Sequence, residues 1–172
     1  GFSQLSKETV RFSRVDLNQI LKETIQDFDL IIAEKQAVIE VDKLPVIDAI
    51  PLQMTQLFGN LISNSLKYSR AGVAPRIELR CEEIGLQEGD QGALVRLTLS
   101  DNGIGFDEKY ATQIFNIFQR LHGKLEYQGT GIGLAMCKKI VHNHNGVISA
   151  LGVEGKGAQF IVTLPKHQPR SR

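Results

Sequence analysis

Apolar residues recur along this chain with two periods, and the switches between them mark its elements. Leu17, Ile20, Leu21, Thr24, Ile25, Phe28, Ile31 and Ile32 keep helical spacing, which predicts one amphipathic helix running to about Lys35. Asp16 is its expected cap, with Gln19 placed to complete a capping box. Ahead of it, Arg11 to Val15 alternates enough for a short strand. Ala37 to Val41 and Val46 to Ala49 are rich in β-formers and broken by Leu44-Pro45, so they read as two more. Pro51 opens a second helix at the position where a missing N–H costs nothing. Met54, Phe58, Leu61, Ile62, Ser65 and Leu66 form its apolar face. Gln53, Gln56, Asn60, Asn64 and Lys67 form the opposite stripe, with Tyr68 at its edge.

Arg70 to Pro75 is a turn, and Ile77 to Ile84 and Leu94 to Ser100 are strands joined by the polar loop Gly85 to Gly92. A short helix around Lys109 to Phe115 follows, then Asn116 to Thr130, which has no periodicity. Gly131 to Asn145 predicts a third long helix, stopped by Gly146 as its C′ glycine. Val147 to Leu151 and Gln159 to Leu164 are the last strands, connected through Gly152, Gly155 and Gly157. Three long helices and about six or seven strands in mixed order predict a two-layer α+β fold, one mixed sheet with helices on one face. With no repeat and no linker, residues 11–166 count as one domain. Residues 1–10 are expected to be the tail of an upstream element, and residues 167–172 a polar tail.

Charge narrows the function classes. Twenty basic residues balance nineteen acidic ones in 172, for a net charge of +1, and no basic stripe argues for nucleic acid. No apolar run has membrane-spanning length and no signal peptide is visible, so a soluble chain is expected. Cys81 and Cys137 lie far apart, and Cys137 shares a helix face with Leu134 and Val141. That predicts a buried, reduced thiol. The four histidines, His122, His142, His144 and His167, show no metal-ligand spacing.

The candidate chemistry begins at Asp101-Asn102-Gly103-Ile104-Gly105-Phe106-Asp107. A hairpin turn would need a strand directly afterwards, and none follows. Glycines two apart between a strand end and a helix start instead imply backbone that bends sharply and lets a ligand approach. Asp101, at the strand tip, is placed to accept hydrogen bonds from it. Asn60 and Asn64 stand one helical turn apart, with Lys67 on the same stripe. Such a stripe is usually just solvated, yet two mid-helix asparagines cost helix stability without visible return. Their carboxamide oxygens suit Mg²⁺, and Lys67 suits phosphate. Gly129-Thr130-Gly131-Ile132-Gly133-Leu134 opens a helix and offers its amides to phosphate. It lacks the preceding strand and following acid of a dinucleotide fingerprint, and no Walker A sequence occurs. Phe118 to Thr130 reads as a lid over the ligand, with Phe115 at its root serving both core and site.

Together these segments resemble the GHKL superfamily of gyrase, heat-shock chaperone, histidine kinase and mismatch-repair ATPases. Asn60 to Tyr68 is similar to its N box and Asp101 to Gly105 to its G1 box. Ile114 to Phe118 is similar to its F box and Gly129 to Leu134 to its G2 box, in the family's order. Arg120-Leu121-His122 and Glu126-Tyr127 before the last box resemble bacterial sensor histidine kinases of the phytochrome- and PAS-linked kind. The resemblance implies that Asp101 binds the adenine amino group while Tyr68, Ile104 and Ile132 line its pocket, with Gly103, Gly105 and Phe115 around it. Asn64 and Asn60 would hold Mg²⁺. Lys67, Arg120 and the amides of Gly129, Thr130, Gly131, Ile132, Gly133 and Leu134 would hold the phosphates of ATP, with Lys67 and Arg120 acting in catalysis. Thr163 would hold an adenine-side water.

Members that hydrolyse ATP place a glutamate one turn before the metal-binding asparagine, as general base for water. Asn60 stands there instead, which implies a kinase, a protein-histidine phosphotransferase, over a gyrase-like motor. The alternatives are a serine/threonine kinase of the same fold, of anti-sigma-factor type, and an inactive nucleotide-binding regulatory domain. No histidine here has the setting of a phosphoacceptor. The resemblance therefore implies a companion dimerisation and phosphoacceptor domain in the same parent protein, with residues 1–10 the remnant of its hairpin, and a response-regulator receiver domain as the next partner. It also implies a cytoplasmic domain that is monomeric alone and does not autophosphorylate in isolation, within a homodimeric parent for which membrane anchoring is left open.

Overall fold

The computed structural model describes residues 11–85, 92–116 and 133–169. Among these, seven strands divide between two sheets. β1 (Ser13–Asp16) pairs antiparallel with β3 (Val46–Ala49) as a separate ribbon. The main sheet holds β2 (Val38–Val41), β4 (Arg76–Ile84), β5 (Leu94–Asp101), β6 (Val147–Val153) and β7 (Gly157–Pro165) in the order β2-β4-β5-β7-β6. Only the β2–β4 pair is parallel; the rest are antiparallel. The single expected sheet is thus five strands plus a ribbon, because β1 and β3 find each other across the first helices.

The expected helix from Leu17 to Lys35 is interrupted. α1 (Leu17–Gln26) ends where Asp27 N and Phe28 N turn back to Thr24 O and Ile25 O, at 3.1 and 2.9 Å. Those i→i−3 bonds tighten and close the last turn. α2 (Asp29–Lys35) restarts behind Phe28. The apolar stripe survives the break, since Ile25, Phe28, Ile31 and Ile32 all pack against the core. The capping box does not form. Asp16 accepts from Asn18 N at 2.9 Å, whereas Gln19 Nε2 donates to Glu23 Oε1 at 2.7 Å. That side-chain pair along the helix surface uses the group the box needed.

α3 (Pro51–Lys67) follows its sequence reading closely, with Met54, Leu57, Phe58, Leu61, Ile62, Ser65 and Leu66 buried. They pack on the sheet face made by Ile77, Leu79, Val95, Leu97, Leu99, Phe160 and Val162, and each large side chain so buried contributes about 1.5–3 kcal/mol. α4 (Gly133–Asn143) lies beside α3. Its terminus differs from expectation, because Asn145 rather than Gly146 takes the left-handed conformation (φ 59°). Gly146 N reaches Val141 O at 2.9 Å and Asn145 N reaches His142 O at 3.0 Å, the pair of bonds that closes a Schellman motif. The short helix near Lys109 is two 3₁₀ turns, Glu108–Tyr110 and Gln113–Phe115. The other sheet face carries exposed pairs such as Arg76–Glu40 and Arg80–Asp42, which contribute little to stability.

Residue 168 corrects the expected polar tail. Gln168 is buried, takes Asp48 Oδ2 on its backbone N–H at 2.9 Å, and donates through Nε2 to His144 O at 2.6 Å. Its Oε1 accepts from Asn145 Nδ2 at 2.8 Å. Truncation would orphan a buried carbonyl, so Gln168→Ala is expected to lower stability by about 1–3 kcal/mol, read as a shifted urea midpoint.

Candidate functional site

Asp101 closes β5, between Ile77 of β4 and Ala158 of β7. Its carboxylate is thereby carried to the sheet's end, under α3. Oδ1 accepts from Gly103 N at 3.0 Å and Ala158 N at 3.2 Å; Oδ2 accepts from Ser65 Oγ at 2.9 Å. Burial pushes its pKa above the ordinary carboxylate range, against those three donors, which pull it down. A buried acid with its orientation fixed and an acceptor lone pair left over is suited to one donor on a ligand.

Beyond Asp101 the chain is stapled on both sides. Asn102 Oδ1 accepts from Arg76 N at 2.8 Å and Arg70 Nε donates to Asn102 O at 2.7 Å. Ile104 N donates to Tyr68 O at 2.9 Å, and Ile104 O accepts from Gly155 N at 2.7 Å. Gly105 has φ 65°, and a Cβ there would collide with Val153 O. The glycine is therefore a demand of close backbone approach, as its position in the sequence implied.

On α3, Asn60, Asn64 and Lys67 are half-buried along one stripe. Tyr68 caps that helix, with Lys67 Nζ 5.7 Å from its ring centroid. Asn60 faces the start of α4, its Cγ 4.0 Å from where a Cβ on Gly133 would stand, while the Cys137 thiol one turn into that helix faces Leu57 O at 4.0 Å. Burial pushes that thiol up to about 12, so Cys137 is the inert, reduced residue expected, and Cys81 is also free. The fold thus brings the asparagine stripe, the Asp101 turn and the first residues of α4, Gly133 and half-buried Leu134, to one end of the domain. Arg120, Gly129, Thr130, Gly131, Ile132 and the expected lid from Phe118 to Thr130 lie outside the described residues.

One expectation is corrected. Thr163 pairs with Arg96, five residues along β7 from the Ala158 that faces Asp101, about 17 Å away at strand rise. It cannot hold a water beside the same carboxylate. Phe115 is buried with its ring edge-on to Phe160, centroids 6.5 Å apart, which is the core half of the double role expected of it. Ser65 and the Ala158 amide are partners that sequence reasoning missed. The available signal was a hydroxyl at a fully buried position of an otherwise apolar face.

The family described as histidine kinase-, DNA gyrase B-, and HSP90-like ATPases matches residues 49–168. The chain belongs to this family. Among curated relatives, cyanobacterial phytochrome A of Nostoc sp. is 39% identical over 96% of this chain and 20% of its own length. The sensor protein kinase WalK of Staphylococcus haemolyticus is 32% identical over 95% of this chain and 26% of its own. The chain therefore spans about a fifth to a quarter of these multidomain relatives. The solved catalytic domain of histidine kinase ThkA superposes with a TM-score of 0.75 at 23% identity, covering 92% of this chain and all of that one. Full-length ShkA in complex with AMPPNP gives 0.73 at 24% identity over 93% of this chain and 32% of that one. Within the family this chain is an ATP-binding catalytic domain of the histidine kinase type, and the α+β layout is that fold. No helix among the described residues is long and apolar enough to cross a membrane.

Proposed function

We propose that this domain binds Mg²⁺-ATP and transfers the γ-phosphoryl group to a histidine on a companion domain, for relay to a response regulator. The observation that carries the reading is Asn60. α3 contains no carboxylate along its whole length, and the position one turn before Asn64 is filled by the neutral carboxamide of Asn60. Water at the γ-phosphate then has no base on this stripe, and the phosphoryl group survives for a better-placed nucleophile. The full-length ShkA neighbour was solved with AMPPNP, consistent with an adenine nucleotide at this fold's site.

Asp101 accepts the adenine amino group, Lys67 neutralises phosphate charge, and the α4 start offers its amides to it. The donor set fits magnesium: Asn60 and Asn64 of α3 offer carboxamide oxygens, and Mg²⁺ takes few protein oxygens when phosphates supply the rest. Asn64, with Asn60, would hold it, and bound there it would offset the charge that develops on the phosphates. A supply of ATP places the domain in the cytoplasm, whatever anchors its parent.

The purified domain with Mg²⁺-ATP is expected to hydrolyse very slowly at saturating nucleotide. Mixed with the histidine-bearing domain of its parent, it should label that domain with an acid-labile phosphate. Brisk, saturable hydrolysis by the domain alone would contradict the assignment.

A further inference from the structure

The mechanism above makes no use of a buried, fully hydrogen-bonded histidine at the far end of α4. His144 is 1% exposed. Its Nδ1 lies 2.8 Å from Ile140 O, and its Nε2 accepts from Ile50 N at 3.0 Å. The carbonyl can only accept, so Nδ1 carries the proton and Nε2 is bare. Ile50 is the N-cap of α3, is itself buried, and has no side-chain cap. A buried backbone N–H needs an acceptor, and the imidazole supplies it.

Contacts along the α3–α4 seam run antiparallel. Ile50 meets His144, Gln53 Oε1 accepts from Asn143 Nδ2 at 3.3 Å, Leu57 O faces Cys137 Sγ at 4.0 Å, and Asn60 faces Gly133. We infer that His144 is a positioning residue for the nucleotide site: it locks the lengthwise position of α4 on α3, and so the position of the α4 start against Asn60 and Asn64. The inference rests on the nucleotide-site reading. Eleven helical residues between Gly133 and His144 span about 16 Å, and a helix transmits an axial shift along its length with little loss.

Protonating His144 would set N–H against N–H at Ile50. Burial holds the imidazole below its usual range. Its folded pKa is depressed, so the neutral clamp persists below about pH 6.5, the unperturbed value, and opens only as pH falls through the lower folded value. Charged groups nearby are committed elsewhere. Asp48 of β3 pairs with Arg14 of β1 at 3.0 Å and accepts from Gln168 N. Lys166 pairs with Glu83 at 2.6 Å. The first turn of α3 contains no acid; on α4 the last turn carries His142, and His167 follows β7. Phe12 packs edge-on against the ring at 5.4 Å.

The test compares the parent with His144→Gln, whose carboxamide oxygen can replace Nε2 as acceptor, and with His144→Ala. ATP affinity is measured from pH 8 to 5.5, and amide exchange is followed at Ile50 and over Leu134 to Lys138. His144→Ala should lose about tenfold in affinity at pH 7.5, an ordinary size for intramolecular coupling, with faster exchange at both places while the protein remains folded. His144→Gln should bind nearly as the parent does at pH 7.5 and keep that affinity at any pH low enough to protonate the parent's buried imidazole. Proton uptake by ATP itself is common to all three proteins. Parental affinity and parental exchange at Leu134 to Lys138 in His144→Ala would overturn the inference. Failure of the parent to bind ATP at pH 8, with exchange at the α4 start still tracking His144, would overturn the nucleotide reading and leave the clamp standing.

Discussion

Replacing Asp101 by asparagine is expected to weaken ATP binding by roughly 10- to 150-fold, the loss of a charge-assisted hydrogen bond of about 1.5–3 kcal/mol. The geometry explains why so small a change acts so strongly. The side chain's Oδ1 already serves the Gly103 and Ala158 amides, so an asparagine must keep its carbonyl there and turn its NH₂ toward Ser65 and the adenine edge. Ser65 can rotate its hydroxyl to accept. The adenine amino group cannot, and donor then faces donor. Stability should move the other way. Burial raises the folded pKa of Asp101 above 3.8, so its ionised form costs stability, and that cost grows as pH rises from 3.8 through the folded value and is complete at neutrality. The nucleotide-free variant should therefore unfold at the same or higher urea concentration than the parent at pH 7. Calorimetry and urea titration on one preparation read both. Undiminished affinity would place the adenine elsewhere.

Gly105→Ala should be the most damaging small substitution in the site. An alanine at φ 65° carries a conformational cost of about 1–2 kcal/mol, and its Cβ would run into the Val153 carbonyl and stand 2.7 Å from Gly157 O. Backbone on both sides leaves no flexible side chain to yield, and overpacking of this kind typically adds about 1–3 kcal/mol. Relief requires moving the Asp101–Gly105 turn away from β6 and β7, which pulls Asp101 off the Ala158 amide of β7. Loss of stability should therefore come with loss of nucleotide affinity. Gly155→Ala is the control: φ is 75°, yet nothing lies within 4 Å, so only the conformational cost applies and affinity should hold. Equal effects at the two glycines would show that close approach at Gly105 is not what matters.

The sequence by itself determined which faces are buried, and with them most of the elements. α3 appears over the span its stripe and Pro51 announce, and β4 to β7 fall within about a residue or two of their alternating runs. Periodicity reports burial because a side chain's face follows from local helix or strand geometry alone. It also singled out Asp101, Gly105 and the Asn60–Lys67 stripe as candidates for a ligand site, since each broke a local rule, a costly asparagine or an unneeded glycine.

Partners were decided by the tertiary structure. Whether Gln19 reaches back to a cap or forward to Glu23, whether β1 joins the main sheet or pairs with β3, and whether Gln168 hangs free or docks on Asp48 depend on what stands opposite. Thr163 shows the same limit, because its strand was legible but its register against β5 was not. Ser65 was read as one more member of an apolar face, and His144 as a helix end without a task. Both acquire their roles from groups dozens of residues away, Asp101 and Ile50. A hydrogen bond needs two atoms within about 3 Å, and that proximity belongs to the packing of elements rather than to any stretch of chain.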